Sequence, residues 1–251
     1  MPRVPDGVSG PELLRRMKTH AIDAGVAFEQ AMVDAVTRTD EGFLVVAGER
    51  SWNARAVVLA TGVSDVLPDV DWAEQAIACG ALRLCSVCDA YEATDLRIGV
   101  YGPREAVASH ARFLRSYSAH LALLPTDEPF EDDFALAPGD DTVRVFPPGG
   151  ELSFDGTYCR YRAADGAEAV LDTVYPFLGN QTAHPLVVSA GAWPEEPGET
   201  VVDENQMTRV PGLYAIGDMV SGLNQILVAV GQAAVAATHL HNQLPFAPRA
   251  K

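Results

Sequence analysis

Apolar and polar residues change their period several times along the chain, and each change marks an element. Leu13, Leu14, Met17 and Ala21 recur at three- and four-residue spacing, the stripe of an amphipathic helix that ends near Gly25. Ser9-Gly10-Pro11-Glu12 ahead of it has the S-x-x-E form of a capping box, with Pro11 tolerated where its missing N–H is not needed. Strand-like segments over Ala27 to Val36 and Gly42 to Ala47, the second continuing through Glu49-Arg50 to Ser51-Trp52, predict a small antiparallel excursion. Ala56 to Thr61 is continuously apolar and β-branched before it breaks at Thr61-Gly62, as a strand buried on both faces would be. Leu96 to Gly102 reads as a second buried strand, Glu105 to Ser116 as the helix it feeds, and Leu121 to Leu124 as a short strand. Residues 96–124 are therefore predicted to form one βαβ unit of nucleotide-binding type. Near the carboxyl end, Val210 to Ile216 reads as a strand running into Gly217-Asp218, followed by a long apolar helix from about Ile226 to Leu244.

Composition narrows the class. The chain has 251 residues, 48% of them hydrophobic, enough to bury one large or two modest cores, and no apolar run near 18 residues predicts a membrane span. A formal net charge of −16 without a local cluster of lysine or arginine repels phosphate backbones and anionic lipids, which argues against nucleic acid or membrane partners. Met1 to Gly7 lacks an apolar signal core, so the four cysteines need not form a disulfide framework; a reducing, cytoplasmic compartment is expected.

Two segments carry chemistry. Cys85-Ser86-Val87-Cys88-Asp89 places two thiols two residues apart with an acid directly after them. One thiolate can attack a disulfide, the other can resolve the mixed intermediate, and a carboxyl can move the accompanying proton. Half of a zinc site is the plainer reading, but Cys79, Cys159 and six scattered histidines offer no second pair at ligand spacing, so no metal is expected. In the second segment, a strand ending in Gly217-Asp218 lets the acid bond a ribose or ribityl hydroxyl while glycine allows close approach. Ser221-Gly222-Leu223-Asn224-Gln225 then leads into a helix whose amino terminus presents free N–H groups. A bare turn would explain the Gly-Asp pair equally well.

Inside the predicted βαβ unit the G-x-G-x-x-G fingerprint is broken. Its positions hold Gly102, Arg104 and Val107, with Pro103 removing another backbone donor. Arg104 puts a side chain where backbone should approach a pyrophosphate, and Pro125-Thr126-Asp127 offers no arginine cluster for a 2′-phosphate, which argues against NADPH. A βαβ unit kept as scaffold is the alternative.

The order of Ala-Thr-Gly strand, Cys-x-x-Cys-Asp, degraded fingerprint, Gly-Leu-Tyr-Ala-Ile-Gly-Asp and Asn-Gln-Ile helix resembles the thioredoxin-reductase-like family of FAD-dependent pyridine nucleotide–disulfide oxidoreductases. The resemblance runs over nearly the whole chain. It implies an α/β fold of two Rossmann-like, three-layer nucleotide-binding domains, with residues 1–68 and 196–251 forming a discontinuous FAD domain and 69–195 an inserted NAD(P)-type domain bearing the cysteines. It implies Cys85 and Cys88 as the redox pair, one exchanging with substrate thiols and the other facing the flavin, with Asp89 as acid/base. It also implies Asp218, after Gly217, on FAD hydroxyls, backbone amides of Gln225 and Ile226 near the flavin ring, Thr61-Gly62 near the cofactor, and Gly102 as the remnant of an NADPH site. The implied partner is a thiol or disulfide substrate, protein or small molecule, and a homodimer is expected.

Family members begin with a βαβ unit carrying G-x-G-x-x-G for the ADP half of FAD, roughly 30 residues or more, and no such unit precedes Ser9 here, so the FAD domain is expected to be truncated. Ala90 stands where glycine is usual. Two further readings stay open: an oxidase of small-molecule dithiols that uses FAD and oxygen without NADPH, and a catalytically silent binding or regulatory relative.

Overall fold

The first helix forms where its cap predicts. In the computed structural model, which describes residues 8–131, 134–136, 142–182, 184–192, 200–220 and 222–246, α1 spans Gly10–Asp23 and Ser9 Oγ accepts the Glu12 N–H at 3.4 Å. The Glu12 carboxylate accepts from Arg15 and Arg16 at 2.7 and 2.6 Å, so its side chain is engaged with the helix surface. The apolar stripe meets no core: no residue of α1 is buried, and Leu14 is 67% exposed.

Strands β1 (Ala35–Thr39), β2 (Gly42–Ala47) and β3 (Arg50–Ala54) make an antiparallel sheet in which Val36 faces Val45 and Val45 faces Trp52. The strand expected from Ala27 starts only at Ala35, whose partner Val46 stands at the end of the ladder. Upstream of it Phe28 and Met32 are exposed, so β-compatible residues there have no pleated surface to pack on.

The chain continues as β4 (Val57–Leu59), β5 (Val63–Asp65), α2 (Ala73–Cys79), α3 (Ser86–Asp89), β6 (Ile98–Gly102), α4 (Arg104–Leu114), β7 (Leu121–Pro125) and β8 (Arg144–Val145). Then come β9 (Glu151–Phe154), β10 (Cys159–Arg162), β11 (Glu168–Leu171), β12 (Thr173–Pro176), β13 (Asn180–Thr182), α5 (His184–Ser189), β14 (Leu213–Ala215) and α6 (Ile226–Gln243). Chain contacts divide it into two compact units, Met1–Val63 with Thr182–Lys251, and Ser64–Gln181. The paired strands β5 and β13 carry the two crossings. The sequence put the first crossing after residue 68. The second, expected between 195 and 196, lies outside the described residues, and α5 before it joins the first unit because Val187 and Ala190 share a core with Phe43, Leu59 and Leu213.

In the first unit β14 runs parallel to β4, Leu213 beside Val57 and Ala215 beside Leu59. Burial of β4 on both faces is not observed: Leu59 is buried, whereas Val58 is 40% exposed.

The second unit is a four-stranded, all-parallel sheet in the order β12-β6-β7-β8. Its centre is as apolar as a sheet covered on both faces requires, with Ile98, Val100, Leu121, Leu123 and Leu124 at 1% exposure or less. Val107, Ala111 and Leu114 of α4, spaced at four and three residues, are fully buried against it. Gly99 is needed for this packing, since a Cβ there would stand 2.8 Å from Leu171 Cδ1. The antiparallel sheet β11-β10-β9 contributes Cys159, Tyr161 and Leu171 to a core with Leu82, Leu124 and Val174. The predicted βαβ unit is therefore present, with Ile98 opposite Leu121, in a mixed α/β fold. No described helix is long and apolar enough to cross a membrane.

Truncating the centre of this sheet should unfold it. Leu123→Ala removes a side chain of 0% exposure and is expected to cost about 2–5 kcal/mol, read as a lower urea midpoint for loss of the sheet; an unchanged midpoint would contradict the packing described.

Candidate functional site

Cys85 and Cys88 are joined by a disulfide with Cα atoms 5.3 Å apart, inside the range a disulfide accepts without backbone movement. Cys85 is the N-cap of the short helix α3, and the Cys88 N–H closes its turn on the Cys85 carbonyl at 3.0 Å. The turn is anchored from below by buried Ser86 and Ala90, while Val87 and Cys88 face outward; Cys85 is half-buried. Tyr91, two residues after Asp89, is 81% exposed.

Asp89 sits in a defined network. Its Oδ2 receives Arg83 Nη1 at 3.0 Å and its Oδ1 receives the Tyr175 hydroxyl at 2.7 Å. Both partners hang from β12. Leu82 makes a parallel bridge with Val174, the Val174 N–H donates to the Ala81 carbonyl at 2.9 Å, and the Arg83 N–H donates to the Val174 carbonyl at 3.0 Å. Burial, with the adjacent Asp89 carboxylate second, pushes the Tyr175 phenol well above its ordinary range, so it acts as a neutral donor. Neither Arg83 nor Tyr175 was singled out from the sequence: Tyr175 reaches Asp89 only through strand pairing across 86 residues, and Arg83, six residues before Asp89, is oriented by its own bond to the same strand.

The amino terminus of α4, where the fingerprint would seat a pyrophosphate, is occupied by the protein itself. Asp127 Oδ1 accepts the Arg104 N–H at 2.8 Å and the Glu128 N–H at 2.7 Å, while the Arg104 side chain pairs with Glu128 at 3.1 Å. These backbone bonds, Arg104 first, hold the Asp127 carboxyl below its ordinary value. A carboxylate thus stands where a phosphate would sit. Gly102 is explained by its own fold: a Cβ there would lie 2.6 Å from the Phe177 carbonyl oxygen.

The first unit gathers the remaining predicted residues. Thr61 and Gly62 follow β4, Gly217 and Asp218 follow β14, and because these strands are parallel neighbours the four residues share one end, linked by Ile216 N–H to the Leu59 carbonyl at 2.9 Å. Carboxyl ends of parallel strands are the usual ligand side of such sheets. Gly62 has φ +65° and nothing within 4 Å of where a Cβ would be, so its loop leaves open space. Gly217, φ +75°, donates its N–H to Gln232 Oε1 of α6 at 2.7 Å, and Thr61 Oγ1 touches Met219 Sδ at 3.5 Å. Gln225 is the N-cap of α6 and Ile226 its first residue, 53% exposed. A half-buried carboxylate at Asp218, open space at Gly62 and the amino terminus of an 18-residue helix suit the hydroxyl-bearing and ring end of a flavin nucleotide.

Two cysteines stand outside the pair. Cys79 is exposed and Cys159 fully buried, its thiol pushed up to about 12 by burial, which makes Cys159 an inert core residue. No group of three or more metal-ligating side chains occurs among the described residues.

No protein-family model matches the chain. The thioredoxin reductase of Listeria innocua is 25% identical over an alignment of 249 residues that covers 92% of this chain and 76% of that protein. Among solved structures, HlmI superposes with a TM-score of 0.84 at 26% identity, over 95% of this chain and 77% of that one. The thioredoxin reductase of Streptococcus pyogenes superposes at 0.82, with 21% identity over 95% of this chain and 82% of its own. The resemblance to thioredoxin-reductase-like proteins thus holds in sequence and in fold.

Asp127 gives this region a pH signature. A carboxyl held below its ordinary value of 3.8 stabilises the folded state above that pH, and the contribution is lost as acid protonates it. The melting temperature of Asp127→Asn should lie below wild type at pH 7, and the gap should close as the pH falls below the ordinary carboxylate range. A gap that persists unchanged into acid would show that Asp127 does not cap α4 as an anion.

Proposed function

We propose that this chain is an FAD-dependent thiol/disulfide oxidoreductase related to the thioredoxin reductases, with Cys85 and Cys88 as its redox pair. The observation that carries the reading is the disulfide itself, held on an exposed turn with a tethered carboxylate directly after it. A substrate thiolate attacks the accessible sulfur, Cys88 Sγ; a substrate–Cys88 disulfide forms and Cys85 leaves as thiolate. A second substrate thiolate then displaces Cys88, so the substrate departs as disulfide and the pair is left as dithiol. The same steps reversed reduce a disulfide substrate, and Asp89 carries the proton at the Cys88 thiol. Thr61, Gly62, Gly217, Asp218 and the amino terminus of α6 at Gln225 and Ile226 would hold the ring and ribityl end of FAD. When bound, FAD supplies the two-electron exchange that returns the pair to its starting state.

A second reading, oxidation of small-molecule dithiols with FAD and oxygen and without a pyridine nucleotide, is favoured by Asp127 and Arg104 at the amino terminus of α4. The carboxylate there repels a pyrophosphate, and replacing it would require breaking two backbone hydrogen bonds. A homodimer belongs to the same picture, supported by the exposed apolar side chains of Ile226, Leu227, Val230 and Val235 along α6.

The visible spectrum of the purified protein after FAD incubation and desalting tests both readings. A retained flavin band bleached by dithiothreitol and indifferent to NADPH is expected. Bleaching by NADPH would remove the second reading, and colourless protein would remove both. Cys85→Ser and Cys88→Ser should each abolish dithiol-dependent bleaching while keeping the flavin; full retained exchange in either variant would overturn the assignment of the pair.

A further inference from the structure

Opening a disulfide leaves a negative charge, and the neighbourhood of this pair already holds one. In the first step the charge moves from the substrate sulfur to Cys85, two residues after Arg83 and four before Asp89, with no net change in charge or electrons. The stretch from Arg83 to Asp89 then carries two anions, the thiolate and Asp89, against one cation. Like charges disfavour the ionised form of a thiol and an opposite charge favours it. Across from this stretch, β12 presents the neutral Tyr175 hydroxyl, and Glu92, three residues after Asp89, adds a further negative charge that acts on it.

Arg83 is built into place. Its N–H is bonded to β12, its guanidinium meets Asp89 at 3.0 Å with 21% of the side chain exposed, and its buried Nε has no hydrogen-bond partner among the described residues. A half-buried cation whose buried Nε is a spare donor, two residues before a cysteine of the pair, is unusual for a purely structural ion pair, whose buried donors are normally saturated. We propose that Arg83 is the positioning residue of this redox pair: clamped to β12, it fixes the Asp89 carboxylate beside Cys88 and balances the charge that develops on the pair when the disulfide opens. The proposal rests on the reading of Cys85–Cys88 as a thiol-exchanging pair. Tyr175 completes the clamp on the other carboxylate oxygen.

The test uses the full chain reduced with dithiothreitol, desalted, and alkylated with iodoacetamide from pH 5 to pH 10, with adducts at Cys85 and Cys88 counted by peptide mass. This readout needs no flavin and follows the thiolate population. Removing the cation in Arg83→Met leaves Asp89 uncompensated, so the rise of alkylation with pH should move to the alkaline side by about one unit, roughly tenfold slower labelling near pH 7. Arg83→Lys should keep most of the wild-type profile. Adding Asp89→Asn to Arg83→Met removes the second charge and should return the profile toward wild type, which a loss of structure alone would not do. Arg83→Met superimposable on wild type, or a double variant that stays shifted, would overturn the proposal. The underlying reading fails separately if reduced wild-type protein does not exchange with 5,5′-dithiobis(2-nitrobenzoate), whatever its alkylation profile.

Discussion

The pairing of the segment before the cysteines with β12 is the interaction on which the rest of the site depends. A parallel bridge at Leu82 and Val174, with hydrogen bonds on either side of it, fixes where Arg83 begins and therefore where the Cys-x-x-Cys turn emerges. The same strand carries Tyr175 to the opposite oxygen of Asp89. Strand β12 is in turn held at the edge of a sheet whose interior is saturated with branched apolar side chains. Buried main-chain groups must be paired, so a shift of β12 by one residue would break its ladder with β6 and turn Tyr175 to the other face. The Cys-x-x-Cys turn is exposed, yet it is located by one of the most buried strands in the unit.

Two places in this unit use a carboxylate in different ways. At α3 a carboxylate is held by a cation and a phenol directly after the Cys85–Cys88 disulfide. At α4 another carboxylate takes up the free N–H of Arg104 at the helix start, which would otherwise attract phosphate. Both uses follow from placing an acid where the backbone or a guanidinium offers donors. They differ in what lies next to the acid: two sulfurs in one case, the protein's own loop in the other.

Much of this was legible in the sequence. The strands at 98–102 and 121–125 and the helix between them follow from unbroken apolar runs and helical spacing, because burial on both faces of a parallel sheet leaves little freedom in residue type. The cap at Ser9 and the joining of Cys85 to Cys88 depend on residues close in the chain, so local pattern was enough to single them out. The extent of the strand near Ala27 was misread because β-propensity describes fit to a pleated surface, and no partner strand reaches that far.

What the chain order could not contain is proximity made by pairing. Tyr175 meets Asp89 through a strand register, Asp127 meets Arg104 by strand β7 ending beside the start of α4, and Thr61 meets Met219 beside the β4–β14 ladder. Gly102, read as the remnant of a nucleotide motif, is demanded by the Phe177 carbonyl. The sequence by itself determined which side chains could do chemistry and which stretches would be buried, since both depend on residue type and local period. The tertiary structure decided which polar and charged groups distant in sequence face one another, as Tyr175 faces Asp89 and Asp127 faces Arg104, because that partnership depends on distance in space and carries no mark along the chain.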